Sequence, residues 1–357
     1  MPTGVGAHGE RGKGARMERV PDLWIDGPDA HERIDERCAS GLMTPGEANA
    51  LHSFVDVGYL KLSIDLPDDF AGGFADDVSR LWVERPVDLA VSPPGKGGPT
   101  SFGHYDGPTK PVGYRIPDMH SHSSHALDLY LDPTVFRMVE LICGEPAIAF
   151  QSLYFEYGSE QGLHRDPMFV ATRPVSHLVA AWIALEDVTE EAGPLAYVPE
   201  SHRLPYFEFT PGTVICGQAV PPRRTREFQQ SLRATMQEQG LTVQQFTCRK
   251  GDAFIWHSGL VHGGSPIADK TRTRKSFVTH YSTAANYRSR EASLQVHDGD
   301  RWRKRRATTD FVIDRGETRG LDNPHHRREV DIDLTASGKR RWMRRRPKHR
   351  EDAVPTG

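Results

Sequence analysis

The second half of the chain is a succession of short strand-like segments separated by turns, and this pattern limits the fold more than any other feature. Apolar or alternating residues mark strands at 148–157, 176–185, 195–198, 252–257 and 275–282. The chain contains 33 glycines and 26 prolines, which is typical of a protein with many turns. Because many short strands must bury their apolar faces against each other, the sequence predicts a β-sandwich or barrel.

Helices are predicted before this β region and inside it. Thr44, Pro45 and Glu47 form a capping box with proline at the first helical position, so a helix begins there. Further elements are predicted as helices at 67–82, 133–143 and 226–239 and as a strand at 58–64. The expected fold class is therefore mainly β with peripheral helices, an α+β arrangement.

The two ends of the chain differ in composition from its middle. Residues 1–43 are rich in glycine and charge, and we expect a mobile leader there. Residues 44–290 are expected to form one domain, and residues 291–357 a charged, basic C-terminal extension. The basic runs at 301–306 and 339–350 are separated by acidic residues, a pattern more typical of a solvated or oligomer-contacting segment than of a nucleic-acid module. A homo-oligomer is compatible with this pattern.

Charge and cysteine usage indicate the compartment. The net charge of −3 gives no general attraction to nucleic acid or to a membrane surface. No apolar run reaches the length of a membrane span, and the first residues lack the apolar segment of a secretory signal. The four cysteines form no CxxC pair, so we interpret them as reduced thiols. We therefore expect a cytoplasmic protein without membrane attachment.

The motif Gly-Leu-His-Arg-Asp at 162–166 carries the first sign of chemistry. His164 and Asp166 are two positions apart, so on an extended backbone both side chains point to one face. His262 lies far downstream, beside two glycines that permit close approach of the backbone. Two imidazoles and one carboxylate make the facial triad that suits non-haem Fe(II) and leaves coordination positions open. The sequence thus predicts a metal site at His164, Asp166 and His262.

An arginine after the second histidine could bind a carboxylate. Arg274 opens the predicted strand that reads Arg-Lys-Ser-Phe-Val-Thr-His-Tyr, and its guanidinium can form two parallel hydrogen bonds with a carboxylate. Arg272 lies two residues earlier, on the same face by parity, and is the alternative.

In this order the motifs resemble the phytanoyl-CoA dioxygenase family of Fe(II)- and 2-oxoglutarate-dependent oxygenases. The resemblance rests on the HxD motif, on "WHSGLVHGGSP" and "RKSFVTHY", and on "GPLAYVPESHR", and it covers roughly residues 44–287. It implies a double-stranded β-helix, or jelly-roll, core of the cupin-like type with helices packed outside. The turn after His262 is slightly longer than is usual in the family, which keeps Arg272 as an alternative, although Lys-Ser-Phe after Arg274 favours Arg274.

The resemblance also implies a reaction. It implies Fe(II) as the metal, 2-oxoglutarate as cosubstrate and O2 as oxidant, with a small-molecule substrate hydroxylated and succinate and CO2 released. A carboxylate at Asp166 favours hydroxylation, because halogenating relatives usually carry a small residue there. The same iron site could instead support epimerisation, desaturation or ring closure. A non-catalytic jelly-roll protein that binds a ligand or supports assembly is the alternative from another class.

Further polar or aromatic residues are candidates for the pocket. Gln151, Tyr154 and Ser276 lie on predicted strands near the triad and could contact 2-oxoglutarate, and Trp182 stands where the family tends to carry tryptophan. Each has an ordinary structural interpretation as a core residue or as the partner of a buried polar group.

The stretch before the β region is rich in histidine. It contains Arg115, His120, His122 and His125, and the spacing of the histidines fits no ordinary zinc pattern. We therefore interpret it as a solvated loop. If this loop folds over the pocket, it could contact the substrate.

Overall fold

The computed structural model describes residues 23–283, apart from 96–97, 171, 173, 211–213, 215 and 217–219, and the backbone of six short strands beyond them. Several single 3-10 turns connect the longer elements. The α-helices are α1 (Ala30–Ala39), α2 (Pro45–Val57), α3 (Phe70–Glu84), α4 (Ser124–Tyr130), α5 (Pro133–Cys143) and α6 (Pro222–Glu238).

Strands are the main elements of the second half, as the sequence predicted. In the first half they are β1 (Tyr59–Ser63), β2 (Ala90–Val91), β3 (Thr100–Ser101), β4 (Arg115–Pro117) and β5 (Ala147–Phe155). The next six are β6 (Val179–Ala184), β7 (Leu195–Val198), β8 (Gln244–Phe246), β9 (Asp252–His257), β10 (Val261–Gly264) and β11 (Ser276–Thr283). The last six are β12 (Ser293–Asp298), β13 (Arg301–Arg306), β14 (Val312–Arg315), β15 (Thr318–Leu321), β16 (Val330–Leu334) and β17 (Arg340–Arg344).

Two sheets form the β core. The larger sheet runs in the order β1-β9-β6-β11-β5-β15-β14, with β4 paired to the end of β5, and the smaller sheet is β10-β7-β8. They face each other through an apolar cluster to which the larger sheet contributes Trp182, Phe254 and Val278 and the smaller sheet Leu195 and Tyr197. The fold is a jelly-roll core with helices outside it, which confirms the predicted fold class.

The helices cover the other face of the larger sheet. Phe74 of α3 packs against the rings of Tyr154 and Phe277, with centroids 5.2 and 6.1 Å apart. Phe136 of α5 contacts Tyr281 of β11 with centroids 5.2 Å apart. Since both faces of this sheet are buried, its central strands are apolar almost throughout.

The predicted starts of α2 and α5 are confirmed, whereas α3 begins at Phe70, three residues after its predicted start, and α6 at Pro222, four residues before it. At α2 the Glu47 N–H donates to Thr44 Oγ1 at 3.2 Å, and the Thr44 N–H donates to a Glu47 carboxylate oxygen at 2.7 Å. The helix ends at Gly58, whose φ of 82° is the left-handed conformation that glycine adopts without strain. Asp132 caps α5 in a similar way, accepting from the Val135 N–H at 2.9 Å.

The predicted leader boundary is wrong. Helix α1 lies inside the segment expected to be mobile, and its Ile34 is fully buried. Trp24 is also held, because its Nε1–H donates to the Leu141 carbonyl at 2.9 Å. A few apolar residues anchor a mostly charged segment, and composition alone did not reveal them. Residues 1–22, and the side chains of the basic extension, lie outside the described residues.

The histidine-rich stretch is not a solvated loop. Residues 124–130 of it form α4, whose N-cap Ser123 accepts from the Ala126 N–H at 3.0 Å. His120 is completely buried, while His122 bonds to Asp88 at 3.1 Å and His125 to Asp77 at 2.9 Å. These histidines are therefore structural partners of the helical layer.

Candidate active site

His164, Asp166 and His262 meet between the two sheets. His262 lies on β10, His164 pairs with it as an isolated bridge, and Asp166 begins a single 3-10 turn. One side-chain oxygen or nitrogen from each residue lies within 4.8 Å of the other two. The His262 Nε2 is 3.3 Å from Asp166 Oδ1, and the His164 Nε2 is 4.0 Å from the same oxygen. Among the described residues, this is the one cluster of three such groups with metal-ligand spacing.

Backbone carbonyls fix the orientation of both imidazoles. His164 Nδ1 is 2.9 Å from the Gly162 carbonyl, and His262 Nδ1 is 3.0 Å from the Leu260 carbonyl. Because a carbonyl only accepts, each Nδ1 carries the proton and donates it. The Nε2 lone pair of each ring is then directed at the cluster, which is the tautomer that a metal ligand needs.

Asp166 is held by an indole. The Trp256 Nε1–H donates to Asp166 Oδ2 at 2.8 Å, and the other oxygen faces His262 and, at 3.8 Å, His280. Burial alone would raise the pKa of this carboxyl, but His262 and His280 hold it well below its ordinary value. The charged carboxylate is thus the stable form.

The surroundings shift the pKa values of the two histidines in opposite directions. Burial, aided by nearby His262, lowers the pKa of His164 to about 3, so this ring is neutral. Burial also opposes the charge on His262, but the Asp166 carboxylate raises its pKa above the ordinary value. Two imidazole nitrogens and one carboxylate oxygen, all buried, form a donor set that fits Fe(II).

The triad opens into a cavity of about 460 Å³, a volume in the range usual for small-molecule sites. Its wall is mostly apolar and aromatic, with a few polar groups. The residues lining it include Leu153, Phe155, Phe169, Val170, Trp182, Leu195, Trp256, Val278, Arg115, Gln151, Arg274 and His280.

Arg274 is a buried cation beside this cavity. Its side chain is only 2% exposed, and among the described residues no carboxylate forms an ion pair with it. One hydrogen bond, from Nη1 to the Gly193 carbonyl at 3.3 Å, is formed, while Nε is buried without a partner. Burial lowers the pKa of Arg274 to about 10, so the guanidinium stays charged at neutral pH. A buried guanidinium with so few partners has hydrogen-bond donors that suit an anion.

Arg272 does not reach the cavity. Its side chain is about half exposed and pairs with Asp269 at 3.4 Å. The longer turn after His262 therefore leaves Arg272 at the surface. Arg274 is the arginine beside the cavity, with its guanidinium 5.6 and 5.8 Å from the ring centroids of Trp182 and Phe155.

Comparison with known proteins agrees with this arrangement. The model of the phytanoyl-CoA dioxygenase family matches residues 98–275, about half of the chain and a range that contains the triad and Arg274. The chain belongs to the phytanoyl-CoA dioxygenase family.

Curated relatives in this family match over part of their length. The phytanoyl-CoA dioxygenase domain-containing protein 1 of Mus musculus is 30% identical over 88 residues, 24% of this chain and 30% of the mouse protein. Its counterpart in Danio rerio is 27% identical over 178 residues, 45% of this chain and 60% of the fish protein. The chain thus spans less than two thirds of these relatives.

A solved structure shares the fold. The non-heme alpha ketoglutarate dependent carbocyclase SnoK from nogalamycin biosynthesis superposes with a TM-score of 0.51 at 18% identity, covering 66% of this chain and 84% of that one. At this identity the likeness shows the fold alone.

Of the four other residues predicted to contact the cosubstrate, two line the cavity and two do not. Gln151 and Trp182 line the cavity, and Gln151 Oε1 and Trp182 Nε1 are buried without a partner among the described residues. Ser276 lies on the same face of the sheet, opposite Phe155, and its hydroxyl is also buried without a described partner. Gln151 Oε1 and Trp182 Nε1 are thus polar atoms at the cavity wall, whereas Ser276 is fully buried and is not one of the residues that line the cavity.

Tyr154 was wrongly predicted to face the pocket. It packs in the apolar layer under α3, against Phe74 and Tyr114. The reason is parity, because Gln151 and Tyr154 are three positions apart on one strand and so point to opposite faces. Arg165, between the two ligands, also points away, and it donates to the Pro205 and Ser201 carbonyls at 3.0 and 2.9 Å.

Two functional candidates were missed by sequence reasoning: Trp256, which holds Asp166, and His280, which faces it. Sequence reasoning reached Arg115 only through the histidine-rich stretch that contains it. Parity could have found His280, since it lies six positions after Arg274 and four after Ser276 on one strand. Arg115 and Trp256 are brought to the cavity by strand pairings that no local pattern reveals.

Proposed function

We propose that the chain is an Fe(II)- and 2-oxoglutarate-dependent oxygenase that hydroxylates a small organic substrate. The observation that carries this proposal is the presence, in one cavity, of a facial His/Asp/His donor set and of the buried Arg274 without a counter-ion. The first fits a divalent iron, and the second fits the carboxylate of a cosubstrate.

The protein groups have separate roles in this proposal. His164, Asp166 and His262 would hold Fe(II), and Arg274 would bind the carboxylate of 2-oxoglutarate that is remote from the metal. Trp182 Nε1 and the amide oxygen of Gln151 are buried polar atoms that could orient the bound cosubstrate or substrate. When bound, iron and 2-oxoglutarate together activate O2, with succinate and CO2 released as the substrate is oxidised.

The aspartate supports hydroxylation over halogenation. The protein supplies three metal-ligand candidates, and one of them is the Asp166 carboxylate, which Trp256 holds by a hydrogen bond. A halide would therefore find the coordination position of Asp166 already occupied. The apolar wall would keep water from the reacting atoms and bind the carbon skeleton of the substrate.

The test is anaerobic titration of the purified protein with Fe(II) and 2-oxoglutarate, followed by absorption spectroscopy. We expect a weak metal-to-ligand charge-transfer band in the wild type and its loss in His164→Ala. Isothermal titration should show that Arg274→Gln lowers the affinity for 2-oxoglutarate about 10-fold or more, because charge-assisted hydrogen bonds are lost. Arg272→Gln is the matched control and should bind the cosubstrate like the wild type.

Product analysis then distinguishes the reactions. A metabolite panel screened for succinate production would identify a substrate, and a product with one added oxygen atom supports hydroxylation. An isomer, a product short of two hydrogens or a new ring would indicate the alternative reactions. If no band forms and no 2-oxoglutarate is consumed in the iron-loaded protein, the non-catalytic alternative is favoured.

We also propose a cytoplasmic location for the protein. Within the described residues no helix is long and apolar enough to cross a membrane. Cys38, Cys143, Cys216 and Cys248 are all free thiols, which supports a cytoplasmic location.

A further inference from the structure

A second cavity lies on the other side of β9 from the metal site. Its volume is about 750 Å³, and its wall is formed by the segment before α1, the end of α2 and the 3-10 turn at Ser201–Arg203. Trp256 lines the metal cavity while the next residue, His257, lines the second one, because consecutive residues of a strand face opposite sides. Among the described residues the two cavities share no lining side chain, so the proposed function does not use this one.

Asp26 and His257 present an acceptor and a donor to this cavity. His257 Nδ1 accepts from the Gly259 N–H at 2.9 Å, so the proton of the ring is on Nε2. That Nε2 is 3.4 Å from Asp26 Oδ2, yet it is buried without a hydrogen bond of normal geometry. Asp26 Oδ2 also accepts from the Leu23 N–H at 3.0 Å, whereas no hydrogen bond within the described residues uses Oδ1.

The Asp26 carboxylate carries its charge at neutral pH. Burial works against this charge, but the neighbouring His257 and the Leu23 N–H lower the pKa of the carboxyl below its ordinary value. The pair is therefore a charged acceptor beside a neutral donor.

Ser176 adds a third polar group to the wall. Its side chain is 4% exposed, as is that of His257, and its hydroxyl is buried without a partner among the described residues. Buried polar atoms in proteins are nearly always hydrogen-bonded, and leaving one unsatisfied costs about 1–3 kcal/mol. Two such atoms and a free carboxylate oxygen at one cavity indicate a polar ligand.

The charges of the wall favour a neutral ligand. A carboxylate or phosphate would be repelled by Asp26, and the nearby Arg203 is already engaged, since it donates to the Val55 carbonyl at 2.9 Å and lies 3.5 Å from Asp56. An ammonium group would pair with Asp26 but has no acceptor for the His257 N–H. A hydroxyl both donates and accepts, so two adjacent hydroxyls can satisfy Asp26 Oδ1 and His257 Nε2 together.

The rest of the wall is suited to a carbon ring. Ile25, Val55 and Leu204 supply apolar surface, and the aromatic ring of Tyr206 lines the same cavity. Arg165 holds this ring from one side, with its guanidinium 4.9 Å from the centroid. An aromatic or aliphatic wall with a few polar groups is the usual composition of a small-molecule site.

We propose that this second cavity binds a neutral polyhydroxylated ring of the sugar or cyclitol type, with a pair of adjacent hydroxyls on Asp26 and His257 and its carbon skeleton against Leu204 and Tyr206. The site goes beyond the proposed oxygenase function and does not rest on it, because it needs neither iron nor turnover.

The experiment measures the binding of matched probes to the metal-free full chain by saturation-transfer NMR titration. The probes share one ring and differ in polar group: cyclohexane-1,2-diol, cyclohexanol, cyclohexylamine and cyclohexanecarboxylate. Each is titrated into the wild type, Asp26→Asn and Ser176→Ala. The control for charge is Asp29→Asn, because Asp29 is exposed and makes no capping hydrogen bond with α1. The control for location is His164→Ala, in the metal cavity.

We expect the wild type to bind the diol more tightly than the other three probes. Asp26→Asn should lower the affinity for the diol about 10-fold or more, because a hydrogen bond to a charged acceptor is lost. Ser176→Ala should lower it about 2- to 10-fold, and since this hydroxyl has no described partner, the variant should fold like the wild type. Asp29→Asn and His164→Ala should bind the diol within about 2-fold of the wild type.

Four results would overturn the proposal. Tighter binding of cyclohexylamine than of the diol would indicate a cation site. Equal losses in Asp26→Asn and Asp29→Asn would show that Asp26 makes no direct contact, and loss of diol binding in His164→Ala would place the probe in the metal cavity. If no probe binds, ordered water alone satisfies these polar atoms. None of these results bears on the oxygenase function, whose failure would appear as a missing charge-transfer band and would leave the diol site standing.

Discussion

His164 and His262 lie opposite each other as an isolated antiparallel pair in which the N–H of each donates to the carbonyl of the other, at 2.8 and 3.0 Å. Backbone pairing therefore places the two proposed ligands that are most distant in the sequence next to each other. Their ring centroids are 4.4 Å apart. Pre-organisation of this kind lets the metal be bound without a large ordering cost.

Gly263 allows this pair to form. A Cβ on Gly263 would lie 2.6 Å from the Gln161 carbonyl oxygen, so the segment before His164 could not approach β10. We expect Gly263→Ala to weaken Fe(II) binding about 10-fold or more, in the range of mutations that disturb the support of metal ligands. Anaerobic titration with Fe(II) would measure it. Gly162→Ala is the control, because its Cβ meets nothing within 4 Å, and equal losses in the two variants would contradict the explanation.

Trp256 is expected to support the metal through Asp166. Trp256→Phe keeps an aromatic ring but removes the N–H that donates to Asp166 Oδ2 at 2.8 Å. Metal affinity should fall about 10- to 100-fold. Trp182→Phe provides the comparison, since Trp182 Nε1 has no described hydrogen-bond partner. That variant should leave the affinity for Fe(II) near the wild-type value, and a larger loss there than in Trp256→Phe would speak against the role of the Asp166 hydrogen bond.

Local sequence rules predicted those parts of the fold that depend on neighbours in the chain. The capping box at Thr44 and the stop at Gly58 are decided by residues within one turn, and both are confirmed. The alternation of His164 and Asp166 placed them on one side of the chain, and the structure brings His262 to them. What local rules could not supply was the pairing of distant strands, which brings Arg115 beside Phe155 and Trp256 beside Asp166.

Three errors had local causes. Tyr154 was grouped with Gln151 by polarity although an odd spacing sends the two side chains to opposite faces of β5. The histidine-rich stretch was judged by composition, while its helix is specified by the Ser123 cap and by the apolar residues Leu127 and Tyr130, which α4 buries. Helix α1 was also missed because its segment was judged by its charged composition. Two buried apolar residues, Ala30 and Ile34, are enough to anchor it against its neighbours.

The N-terminus of α2 is expected to contribute to stability through Glu47. This carboxylate accepts from Arg137 Nε of α5 at 2.7 Å, and hydrogen bonds from Arg137 lower its pKa to about 2. Since the folded pKa lies below the unfolded value of about 4.5, the stabilisation is present above pH 4.5 and is lost as pH falls toward 2. Glu47→Gln should lower the free energy of unfolding at pH 7 by about 1 kcal/mol in urea denaturation, with some of the electrostatic gain screened by solvent.

The control for Glu47 is Glu36→Gln, which changes an exposed carboxylate on α1. Its unfolding curve should match that of the wild type. The difference between wild type and Glu47→Gln should narrow below pH 4.5, and a difference that stayed constant to pH 3 would show that charge is not its origin.

His202 should make the protein less stable in mild acid. Its Nε2 donates to the Val55 carbonyl at 3.1 Å, and the ring lies against Gly58, where a Cβ would meet Nδ1 at 2.5 Å. Burial, reinforced by His257 and Arg203, lowers the pKa of His202 to about 4, while the Val55 carbonyl and Asp26 act in the opposite direction. The folded protein therefore keeps this ring neutral.

Stability falls in acid because the unfolded chain takes up a proton at His202 more readily than the folded chain does. The unfolded chain protonates this histidine below about pH 6.5, whereas the folded chain does so only near pH 4, so stability falls as pH decreases through this window. The loss from His202 should reach about 1 to 2 kcal/mol at pH 5. His202→Gln keeps a donor for the Val55 carbonyl and should remove that part of the pH dependence. Urea denaturation of metal-free protein at pH 7.5 and pH 5 would measure it. His104→Gln, at an exposed position, should retain the wild-type slope, and an equal slope in wild type and His202→Gln would contradict the prediction.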